Sequence, residues 1–165
     1  MSSHTTNVSA PRSGSVRAPA AVRSATVLWL GAILAGVIEA LVHLALPDPP
    51  DAGGLAVRFG IYLVLGALVL ALGTGRNAVR WTVAVLMGGV GTLSLVVEPI
   101  GWMLDGGSPV AWLLAADAPV LLAAALRVLH LVAVAAALVM MFRPSSTAFF
   151  APLRPTGPVQ TGKSR

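Results

Sequence analysis

Between Ala25 and Leu46 the chain runs through 22 residues (ATVLWLGAILAGVIEALVHLAL) that are apolar but for Glu39 and His43. A helix needs about 20 such residues to cross a bilayer, so this segment is predicted to span one. Glu39 and His43 lie one helical turn apart and share a face, and ionisable groups placed inside hydrocarbon demand partners from neighbouring segments. The rest of the chain has to supply them. With 56% apolar and only 10% charged residues among 165, it falls outside soluble composition, where about a quarter is charged. A single membrane domain is expected.

Residues 1–24 are rich in Ser, Thr, Ala and Pro and carry Arg12, Arg17 and Arg23, a composition read as a disordered tail. The apolar run that follows is about twice the length of a secretory signal core and holds Glu39 and His43, so it reads as a retained anchor. Pro47-Asp48-Pro49-Pro50-Asp51 ends it by denying the backbone its donors. Further spans are expected over 55–72, 80–104 and 120–142, giving a transmembrane domain over 25–143 and a second disordered tail over 144–165. Between the third and fourth spans, Asp105 to Asp117 is too short to cross. Ser108 as a cap with Pro109 in the first position predicts a helix lying in the interface, and Asp117 with Pro119 marks the start of the last span.

The arginines orient this bundle. Arg12, Arg17, Arg23, Arg76, Arg80, Arg143, Arg154, Lys163 and Arg165 all fall on one side, whereas the opposite loops contain only Asp48, Asp51, Asp105 and Asp117 as charged residues. By the positive-inside rule both termini are cytoplasmic in a plasma-membrane protein. Trp29 and Trp81 are then expected at the inner interface, and Trp102 and Trp112 at the outer one. A net charge of +5 comes from scattered cations, which argues against nucleic acid as a partner.

Six ionisable groups remain inside the spans: Glu39, His43, Arg58, Glu98, Arg127 and His130. At about 1.5 Å per residue, His43, Arg58 and Glu98 lie roughly 4 to 8 Å below the outer end, Glu39 and Arg127 roughly 10 to 12 Å, and His130 about 16 Å. All are in the outer half. In an up-and-down bundle the first helix neighbours the fourth and the second neighbours the third, so depth matching pairs Glu39 with Arg127 and Arg58 with Glu98. Such a cluster serves either as buried ion pairs fixing helix register or as an outward-facing pocket.

Other chemistries fit poorly. The chain has no cysteine, which removes disulfides, zinc-thiolate sites and iron–sulfur clusters. Bis-histidine haem would need His43 and His130 at one height, yet they differ by about 12 Å at helical rise. A metal site from Glu39, His43 and Glu98 lacks the HExxH spacing, and Arg58 and Arg127 would repel the cation. No nucleophile–base pair is evident, and Gly88-Gly89-Val90-Gly91 lies mid-span, where small residues favour helix packing over phosphate binding. No cofactor, no metal and no catalytic residue is assigned.

Gly75-Arg76-Asn77 with Arg80-Trp81, Ser94-Leu95-Val96-Val97-Glu98-Pro99, Arg127-Val128-Leu129-His130 and Met141-Phe142-Arg143-Pro144 together resemble uncharacterised small four-span integral membrane proteins of actinobacteria. The resemblance covers about Leu28 to Pro144 and implies a fold and an inner-membrane location, without an activity. The expectation is therefore an all-α, four-helix up-and-down bundle with a short outer interfacial helix between spans 3 and 4. Its leading role is that of a non-enzymatic structural or interaction component, the alternative being a small transporter or ligand-binding protein that uses the Glu/Arg/His cluster. The partners expected are the lipid bilayer and, through small residues such as Gly36, Gly88, Ala133 and Ala137, a second copy or another membrane protein.

Overall fold

Pro19 stands at the head of the first helix with φ −54° and ψ 154°, and α1 (Ala20–His43) runs from there without a breaker. It therefore begins inside the stretch expected as tail, and Val22 and Ala25 are already buried. The computed structural model describes residues 17–46 and 49–151; the remaining parts of both expected tails lie outside the described residues. Asp51 caps α2 (Ala52–Leu70) by accepting from the Gly54 amide at 2.9 Å. The helix tightens into a 3₁₀ turn over Ala71–Thr74 and stops at Gly75, whose φ of 70° is left-handed.

The third span is continuous over Asn77–Leu104 but is built in three parts. A short α3 (Asn77–Val83) widens into a π-helical segment, Ala84–Gly91, and resumes as α4 (Thr92–Leu104). Ser108 caps α5 (Pro109–Ala115) with Pro109 in its first turn, and Asp117 caps α6 (Ala118–Met141) by accepting from the Val120 amide at 3.2 Å. These two helix starts lie where the sequence puts them. Residues 144–150, expected as tail, instead form α7 (Pro144–Phe150), with Ser146 and Phe150 buried. That corrects the tail boundary, and the cause is apolar: Phe149 and Phe150 give the segment a face to bury against the bundle.

Four helices are thus long and apolar enough to cross a membrane, in an all-α architecture that fits a multi-pass membrane protein. The tightest packing is between α1 and α6, with α2 lying against α1 and the third span joined through α3 and the π segment. The well-packed core gathers near the end that bears both termini: Val22, Ala25, Trp29 and Ala32 from α1, Val69 and Leu72 from the end of α2, Val83 and Met87, then Val134, Ala137 and Met141 from α6, sealed by Phe150. Trp29 is fully buried there rather than in an interfacial belt, while Trp81 is exposed. Gly88 permits part of this packing, since a β-carbon on it would sit 3.1 Å from the Leu138 side chain. The opposite half of the bundle is looser. α4 buries no residue and α2 buries only Val69, at its termini end.

Candidate functional site

All six intramembrane ionisable residues lie in that looser half, and the structure divides them among three settings. The first is an ion pair across the α1–α6 interface. Arg127 donates to one carboxylate oxygen of Glu39, from Nη2 at 3.0 Å and from Nε at 3.2 Å, and Glu39 is almost fully buried. Depth matching predicts this pairing, and small buried side chains on α1, such as Ala32 and Ala35, suit the close packing of α1 with α6. His43, one turn on, stays within its own helix, with Nδ1–H donating to the Glu39 carbonyl at 2.8 Å.

The second setting is a cavity of about 380 Å³ between α2, the π segment with the start of α4, and α1 and α6, walled by Arg58, Tyr62, Ser94 and His130 among apolar neighbours. The Tyr62 hydroxyl donates to the Gly36 carbonyl at 3.1 Å. Gly36 is needed for that contact, since a β-carbon would stand 3.0 Å from the hydroxyl oxygen. His130 Nδ1 is buried and has no hydrogen-bond partner among the described residues.

The third is a larger cavity of about 530 Å³ between α4, α5 and α6, where Glu98 and Arg127 stand among Leu95, Pro99, Trp102, Trp112, Val128 and Leu131. The predicted pairing of Arg58 with Glu98 is therefore corrected: the two line different cavities, and Glu39–Arg127 is the single ion pair among the described residues. Depth fixes a side chain's height in a bundle but not the direction it faces. The π segment resets that direction for everything beyond Gly91, bringing Glu98 to the α6 side of α4.

Three side chains take parts that the sequence does not assign them. Trp102 follows Glu98 by four residues and so lies on the same helical face, a relation legible from spacing alone. Tyr62 offered no such signal. Nor did Arg80, read above as an orienting cation. It is 5% exposed and packs beneath α7, with its guanidinium carbon 4.2 Å from the Phe142 ring centre and 5.3 Å from that of Phe150. Its Nη2 donates to the Thr147 hydroxyl at 3.1 Å. Stacking on two rings stabilises a cation that water no longer reaches.

No group of three His, Asp or Glu able to hold a metal ion occurs among the described residues. The acid and base of the closest pair hold each other rather than a reacting atom. The larger cavity combines an apolar wall, two indole rings and a carboxylate that has no ion-pair partner among the described residues. Compared with protein-family models, with curated proteins and with solved structures, the chain matches none, and its reading rests on this geometry.

Proposed function

We propose that this is a non-enzymatic plasma-membrane protein, with both termini cytoplasmic, that takes an amphipathic ligand into the cavity between α4, α5 and α6. The observation that carries the proposal is Glu98. Its carboxylate has no ion-pair partner among the described residues and lines an apolar cavity of about 530 Å³, so its charge is open to a ligand there. A volume in the range of about 300–1,000 Å³ with few polar groups is typical of small-molecule sites. The Glu39–Arg127 pair has the other role foreseen for the cluster, fixing the register of α1 against α6, while Glu98 carries the charge open to a ligand.

Cysteine chemistry tests the proposal, because the native chain has no thiol. A cysteine at Ala124, on the cavity wall, is expected to react with a small water-soluble thiol reagent added outside intact cells. A cysteine at buried Ala137 is expected to stay unreactive. Failure of the Ala124 position to react would mean that the cavity is closed to the outer solution.

A further inference from the structure

Resting on that binding reading, we infer that the ligand is a lipophilic cation, such as a quaternary ammonium or aryl phosphonium carrying its charge on an apolar body. Charge decides the sign. Of the two charged side chains on the cavity wall, Arg127 is neutralised by Glu39 at 3.0 Å, which leaves Glu98 as the net charge facing the space. A cation entering that space is attracted by the charge, whereas an anion is repelled.

The aromatic lining points the same way. Trp102 stands one helical turn beyond Glu98 and Trp112 faces it from α5, and indole is the side chain that best attracts a cation over its ring. A small metal cation is a poor occupant, since it requires several oxygen ligands that the wall does not provide. A cation that makes no hydrogen bonds suits a wall whose remaining surface is aliphatic, formed by Leu95, Val128 and Leu131. Glu98 itself is exposed and held by no ion pair among the described residues, so Glu98→Gln removes no ion pair from the bundle.

Tetraphenylphosphonium and tetraphenylborate share one shape and differ in sign, and titrating each separately into the purified full chain in detergent, read by tryptophan fluorescence, tests the assignment. Tetraphenylphosphonium is expected to saturate, and Glu98→Gln to weaken it by about tenfold or more. Tetraphenylborate is expected to show no saturable binding to the native chain. Equal binding of both ions, or an unchanged phosphonium affinity in Glu98→Gln, overturns the cation assignment. Ala124→Trp, which fills the cavity, separates that failure from the broader one. If both ions bind the native chain and both are lost in an Ala124→Trp variant of native thermal stability, the cavity binds ligands without charge preference. If neither ion binds, or if filling the cavity changes nothing, the binding reading falls with it.

Discussion

Arg127 directs two donors, Nε and Nη2, at the same oxygen of Glu39, so one carboxylate oxygen takes the whole of the guanidinium's contact across the α1–α6 interface. Removing either partner strands the other in a poorly hydrated place. Glu39→Gln or Arg127→Leu alone is expected to cost about 3 kcal/mol, the low end for a buried pair because the Arg127 side chain is 33% exposed. The double apolar replacement is expected to be far milder. Thermal unfolding in detergent measures both, and single variants that melt like the native chain would show that the pair does not set the register.

At the other end of the bundle, α7 is expected to act as a structural seal. Phe150 is 3% exposed and its ring faces the Arg80 guanidinium, so Phe150→Ala loses both core packing and the cation's cover. A loss of about 3 kcal/mol or more is anticipated from the buried ring alone. Ending the chain after Arg143 is expected to destabilise at least as much. Unchanged melting after that truncation would mean that α7 merely rests on the surface.

Gly75 offers a sharper backbone test. Its φ of 70° suits glycine, and a β-carbon would also press on the Phe149 ring at 3.3 Å. Gly75→Ala is expected to cost about 1–2 kcal/mol, with the left-handed strain as the main part. Asn, which tolerates that conformation better, is expected to be the mildest replacement, and melting temperatures would rank the two.

Acid is expected to loosen the start of α2. Amides of Gly54 and Gly53 hold the Asp51 carboxyl below its usual value of 3.8. A folded-state value below the unfolded one means that the capping contribution is present above about pH 3.8 and fades as pH falls through the lowered folded value. Amide exchange at Gly54 is expected to quicken over that acidic window in the native chain. In Asp51→Asn it is expected to be indifferent to pH beyond the intrinsic rate.

The proposed orientation predicts that cysteines at Ala52 and Ser108 label from outside intact cells, whereas cysteines at Ser13 and Ser145 label only after permeabilisation. Ser145 is the informative position on the C-terminal side because Ser146 is fully buried, its hydroxyl donating to the Met140 carbonyl. Outside labelling at Ser13 would invert the topology.

What the sequence makes legible is what local rules govern. Ser108 with Pro109, and Asp117 with Pro119, announce helix starts because capping depends on neighbours a few residues away. Helical rise likewise finds the Glu39–Arg127 pair, since two straight helices packed along their lengths keep depth faithfully. The same arithmetic fails for Arg58 and Glu98, because pairing also requires facing, and facing depends on a change of helical winding that no single residue between Ala84 and Gly91 declares. The burial of Arg80 and Trp29 escapes the sequence for a different reason. Both look interfacial by position, but Phe150, 70 residues beyond Arg80 in the chain, buries the first, and the close approach of α1 to α6 buries the second.

The π segment is, in effect, a change of phase written into a single span. Each residue of an α-helix turns its successor by about 100°, so one residue more or less between Ala84 and Gly91 rotates the whole of α4 by that amount relative to α3. Deleting Gly89, whose missing side chain leaves open space around it, would therefore shorten the span by a single step yet swing Glu98 and Trp102 together off the cavity wall. In this bundle the lining of the outer cavity can change with one codon, with the packed half beneath it left undisturbed.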